Sequence, residues 1–186
     1  MHELGHTLGL GHGGPFKLAC PDKNTQQCEI NFKPNYLSVM NYNFQLDGLI
    51  TKDGAKFDYS RFDNVPSLKE DSLSETKGLS GGDQPDSYGT KHYCAKSIVR
   101  WRLRDGYDVV NKASAAIDWN CNNKTDQDNV RANVNGKGGD VQELKSYNDW
   151  ARDCYALSTM KVMKRLSISI AKARKCKPAK VSGKRS

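Results

Sequence analysis

Apolar residues are scarce in this chain, and no run of them is long. Leu, Ile, Val and Phe together account for 35 of 186 residues, and the mean hydropathy is −0.75. No stretch approaches the ~20 consecutive apolar residues of a membrane-spanning helix, so no membrane span is expected. So polar a chain lies at the edge of the range that buries enough surface to fold. It predicts a thin core, with ordered segments between long loops. No internal repeat is found, and no signal peptide is recognisable at the start. No Cys-x-x-Cys pair occurs, although there are six cysteines, Cys20, Cys28, Cys94, Cys121, Cys154 and Cys176. Scattered and even in number, they point to disulfides and a secreted or extracellular setting rather than to six buried thiols. Six cysteines admit many pairings, and the short separation singles out Cys20–Cys28. Acidic residues are missing from Lys161 to Ser186, which carries ten basic ones. The net charge of +8 therefore belongs to this tail, and the body is slightly acidic.

Residues 1–12 read as a helix followed by a turn, and 13–36 as loop. Overlapping capping-box signals, Ser67 to Glu70 and Ser72 to Glu75, with Gly78 as a stop, predict one short helix over 67–77. The Gly- and Ser-rich stretch 78–89 reads as a boundary. SIVRWRL (97–103) and YDVV (107–110) have the look of short strands between Asn/Asp/Gly turns. From Trp150 to Ile170 apolar residues recur every three or four positions, which predicts an amphipathic helix with a packing face. The last dozen residues read as disordered.

The most informative string is the first, MHELGHTLGLGH. His2 and His6 are four apart, so on a helix they stand on one face, one turn above the other. That suits two imidazole nitrogens on one zinc ion. Glu3 follows His2 and is placed to hold a water on the metal and accept its proton. Gly9, free of a Cβ, can take a positive φ, end the helix and turn the chain so that His12 supplies a third ligand. Three protein ligands with one open position make a catalytic zinc site rather than a structural one.

This string resembles the metzincin zinc endopeptidases, whose motif H-E-x-x-H-x-x-G-x-x-H is matched by His2, Glu3, His6, Gly9 and His12. Such a match arises by chance in roughly one chain of this length in 10⁵. The resemblance extends to LSVMNYNF (37–44), similar to the methionine turn of that family. It implies that Met40 forms an apolar floor under the histidines, and that Tyr42 hydrogen-bonds the oxyanion, as in astacin-like and serralysin-like relatives. It implies Zn²⁺ as cofactor, a protein or peptide substrate, and an α+β fold. That fold is the C-terminal half of a metzincin-like catalytic domain, followed by a loop-rich extension with short strands and a C-terminal helix. The short helix near 67–77 would close the lower half of that domain. The division is then 1–80 partial catalytic domain, 81–90 linker, 91–175 accessory extension and 176–186 basic tail. Family members have a sheet and a helix before the active-site helix. The chain is therefore expected to be the C-terminal part of a longer protease, with little proteolysis on its own.

Asp118, Asn120, Asn122 and Asp126 could form a loose calcium site, with an ordinary Asx-rich turn as the competing reading; the EF-hand pattern fails at Asn123 and Asn129. His92 has no partner at metal spacing and is expected at the surface. The alternative to an enzyme is a non-catalytic module, in which residues 90–175 attach the protein to a surface or polymer and the basic tail adds non-specific polyanion binding.

Overall fold

A computed structural model describes residues 1–22, 24–83, 86–94, 106–125, 127–137 and 142–151. Among these the architecture is mixed, with one short α-helix and small two-stranded antiparallel sheets, compatible with an α+β class. Helix α1 spans His2–Thr7. Gly9, at φ +91°, ends it, as the missing Cβ allows. The chain then doubles back in a two-residue hairpin of β1 (Leu10–Gly11) and β2 (Gly14–Pro15), with His12 and Gly13 at its tip. Two 3₁₀ turns follow, Lys17–Ala19 and Thr25–Cys28, joined by the Cys20–Cys28 disulfide.

The other strands pair as β3 (Leu49–Thr51) with β4 (Gly54–Lys56), β5 (Leu68–Lys69) with β8 (Glu143–Leu144), and β6 (Thr90–Tyr93) with β7 (Tyr107–Val110). The YDVV run is thus a strand. Leu68 opposes Leu144 in the β5–β8 pair, so residues far apart in sequence share one ladder.

The core is thin and split in three. Leu10, Tyr36, Val39, Met40 and Tyr59 pack beneath α1. Leu37, Phe44, Leu49, Phe62 and Tyr88 form a second cluster. Leu68, Leu73 and Leu79 join Ile117, Trp119, Val130, Val134 and Leu144 in the third, which brings together residues from both sides of the 81–90 segment. Burying each large apolar side chain contributes roughly 1.5–3 kcal/mol, and no cluster is large enough to order the long loops alone. Buried polar side chains supply the rest by satisfying loop backbone. Lys33 Nζ donates to the carbonyls of Gly13, Gln27 and Lys145. Asn35 Nδ2 donates to Pro66 O and Leu144 O, and Asn41 Nδ2 to Lys33 O and Tyr36 O.

Two expectations are corrected. No helix forms over 67–77. Leu68–Lys69 is strand β5, and Leu73 makes an isolated bridge to Val130. The reason is Glu70: its carboxylate, instead of closing a capping box, is fully buried and accepts the N–H groups of Val134, Asn135 and Gln142. Burial raises its pKa, and the three N–H donors oppose that rise. His92 is not at the surface. It is fully buried on β6, where burial lowers its pKa. The Asx-rich stretch contains Asx turns. Asp118 accepts the N–H groups of Asn122 and Asn123, and Asn120 Oδ1 accepts that of Asn122. SIVRWRL, Asp126, Cys154, Cys176, the expected helix beyond residue 151 and the basic tail lie outside the described residues.

Candidate metal centre

Helix α1 and the hairpin tip bring the three opening histidines together. His2 and His6 lie one turn apart on α1, with ring centroids 4.7 Å apart. The reversal at Gly9 returns His12 to 5.3 Å from His2 and 4.9 Å from His6. One ligand nitrogen from each lies within 4.8 Å of the others, so small side-chain rotations gather the three on one ion.

The ring orientations are fixed from behind. His2 Nδ1 lies 2.8 Å from the carbonyl of Val39, and His6 Nδ1 lies 2.8 Å from that of Leu10. A carbonyl only accepts, so each Nδ1 carries a proton, and in the neutral ring Nε2 is the nitrogen that keeps its lone pair. That is the tautomer a metal ligand needs, with the carbonyl orienting the ring. His12 is held below the usual histidine pKa, first by burial and then by the neighbouring His6 and His2, with Glu3 opposing. Its neutral, ligating form is thereby favoured.

The remaining predicted residues surround this trio. Glu3 is exposed, next to His2 on α1. Tyr42 is 42% exposed, its ring 4.3 Å from that of His12 and 5.8 Å from that of His2. Its backbone N–H donates to Asn31 Oδ1 at 3.0 Å. Met40 is fully buried beneath α1, in the cluster with Tyr36 and Tyr59.

The helix sits on Met40 through Gly5, where a Cβ would collide with Met40 Sδ and the Tyr59 ring. The sequence reading missed Gly5, although a glycine inside a helical motif is itself a signal of close backbone approach. It also missed two aromatic rings. Phe16 stacks on His6, at 6.1 Å and 4° between planes. Phe32 meets Tyr42 edge-on at 5.6 Å. Its backbone holds φ +58°, fixed by Asn31 Oδ1 on its N–H and Asn43 Nδ2 on its carbonyl. No residue pattern announces either ring.

A second layer of polar contacts holds the loop that carries Met40. Asp149, fully buried, accepts the Tyr36 hydroxyl at 2.7 Å, the Ser38 hydroxyl at 2.6 Å and the Ser60 N–H at 3.0 Å. Val39 N–H donates to Asp58 O, which anchors the residue whose carbonyl faces His2. Tyr59 O–H donates to Met1 O at 2.7 Å and tethers the start of α1.

No family model, curated protein or solved structure matches the chain.

Proposed function

We propose that the chain is a secreted zinc endopeptidase of metzincin type, acting on protein or peptide substrates. His2, His6 and His12 would hold the ion, Glu3 would act as general base, Tyr42 as hydrogen-bond donor to the oxyanion, and Met40 as the floor of the site. One observation carries the reading: three histidines converge, and two have Nδ1 committed to a backbone carbonyl, which leaves Nε2 free to ligate. Three neutral nitrogen donors fit zinc and leave a position open. A zinc ion bound there supplies Lewis acidity, polarising the scissile carbonyl and making a water acidic enough to lose a proton near neutral pH.

The protein's own groups do the rest. Glu3, exposed and adjacent to His2, takes the proton of the attacking water and returns it to the departing amine nitrogen. Tyr42 donates its hydroxyl proton in a hydrogen bond to the carbonyl oxygen as negative charge grows there. Phe16 and Phe32 flank the site with apolar surface against which a peptide side chain can rest. The disulfide Cys20–Cys28, and the absence among the described residues of a helix long and apolar enough to cross a membrane, agree with an extracellular setting.

The test is zinc binding by the oxidised chain. The reading expects about one equivalent, lost in His6→Ala and kept in Glu3→Gln, since Glu3 is assigned as general base and not as a ligand. Zinc uptake that His6→Ala leaves unchanged would overturn it.

A further inference from the structure

Away from the opening histidines, one buried imidazole, incompletely hydrogen-bonded, lies beside two sulfurs. His92 sits within β6, fully buried, with neither ring nitrogen in a well-formed hydrogen bond; the Tyr93 backbone and the Asp108 carboxylate are its polar neighbours and oppose the lowering of its pKa by burial. A neutral imidazole has one donor and one acceptor, and buried polar atoms in folded proteins are nearly always matched. The faces of the ring are packed, with Trp119 meeting it edge-on at 5.3 Å. The nitrogens are incompletely matched. One of them lies with Cys94 Sγ and Cys121 Sγ in a group whose atoms are all within 4.8 Å of one another. Asp108, the cross-strand partner of His92, brings a carboxylate oxygen to 3.8 Å from Nε2.

Cys94 and Cys121 are joined as a disulfide. In that form the sulfurs are poor ligands. We propose that the Cys94–Cys121 disulfide masks a metal site: once it is reduced, Cys94, Cys121 and His92 bind one thiophilic divalent cation of the zinc type. The reductant is a thiol or dithiol. It delivers two electrons, the S–S bond breaks, each sulfur takes a proton, and the reductant leaves as its own disulfide. On capture of the cation both thiol protons pass to solvent and the sulfurs bind as thiolates. Asp108 or a water completes four-coordination.

The frame suits both states. The two Cα atoms are 5.8 Å apart. Thiolates on a tetrahedral zinc stand about 3.7 Å from each other, given Zn–S near 2.3 Å, which side-chain rotation reaches from that spacing. Backbone contacts other than the S–S bond hold each cysteine in place. Cys94 N–H donates to Gly106 O at 2.7 Å, and Cys121 N–H to Asp118 O at 3.3 Å. The Asp118 carboxylate closes the Cys121 turn by accepting the N–H groups of Asn122 and Asn123. Opening the disulfide therefore leaves the three ligands near one point.

The test uses the full chain and Co²⁺ as the probe. Oxidised protein and protein reduced with dithiothreitol, then desalted without oxygen, are titrated side by side. The proposal expects one more equivalent bound after reduction, with a thiolate-to-cobalt charge-transfer band that an all-histidine site cannot give. The band should vanish in Cys94→Ser/Cys121→Ser and persist in Cys20→Ser/Cys28→Ser. His92→Asn should weaken the added equivalent at least tenfold. Equal uptake by the two redox states overturns the proposal. So does a band that follows Cys20 and Cys28, or full affinity in His92→Asn. The wild-type comparison needs no variant to fold. The increment on reduction is read independently of whether the opening histidines bind metal, so either reading can fail alone.

Discussion

Replacing Asp149 should separate two roles of one buried carboxylate. Asp149 accepts from Tyr36, Ser38 and Ser60, and these donors frame the loop that carries Val39 and Met40. In Asp149→Ala all three donors lose their acceptor. Each orphaned donor costs ~1–3 kcal/mol, and water entering the vacated volume recovers part of that, so we expect a loss on the order of 3–5 kcal/mol. Asp149→Asn keeps the shape. Its amide oxygen can accept from Ser60 N–H and Ser38, while Nδ2 faces the Tyr36 hydroxyl, which can rotate to become the acceptor. What is lost is mainly the charge, at a cost of about 1–2 kcal/mol. Urea unfolding of the two variants and the wild type measures both values. Zinc affinity should also fall roughly tenfold in Asp149→Ala, because the Val39 carbonyl that orients His2 is displaced. A loss below about 1 kcal/mol in Asp149→Ala, or an equal loss in the two variants, would refute the reasoning.

Three other substitutions bear on the same account. Burial holds Lys33 down at a pKa of about 7, against an ordinary 10.5, with the Asp149 charge opposing. Between those values the unfolded chain binds more protons than the folded one, so stability attributable to Lys33 rises with pH. The difference in unfolding free energy between wild type and Lys33→Met should therefore grow from neutral pH to about pH 9.5, and a flat difference contradicts this. Gly5→Ala drives a Cβ into Met40 and Tyr59. It should cost about 1–3 kcal/mol by thermal or urea unfolding, and it should weaken zinc binding as α1 lifts. Glu70→Gln turns an amide nitrogen onto a backbone N–H, for example that of Gln142. A loss of about 1–3 kcal/mol is expected, with faster hydrogen exchange at the Val134 or Gln142 amide.

How far the sequence discloses the structure depends on the range of the contacts involved. The convergence of His2, His6 and His12 is legible because helical pitch and one glycine reversal place residues within a dozen positions. The Cys20–Cys28 bond is legible for the same reason, since a short loop closes at small entropic cost. The YDVV strand shows in its β-branched run. Glu70 misleads because its local pattern suits a capping box, whereas its carboxylate serves backbone more than sixty residues away. His92, Lys33 and Asp149 give no local sign of burial. A charged or polar residue reads as surface until distant loops close over it, and Lys33 is covered by carbonyls from three separate segments. The pairing of β5 with β8 likewise rests on two residues per strand, too few to leave a periodicity.

The most direct test of the central claim is metal analysis of the oxidised 186-residue chain after equilibration with zinc and removal of the excess. The account predicts about one zinc per chain, with three nitrogen ligands, a water oxygen and no sulfur ligand by X-ray absorption, and absent from His6→Ala and His12→Ala. A chain that retains no zinc, or retains it equally in both variants, contradicts the assignment of the opening histidines as a metal centre.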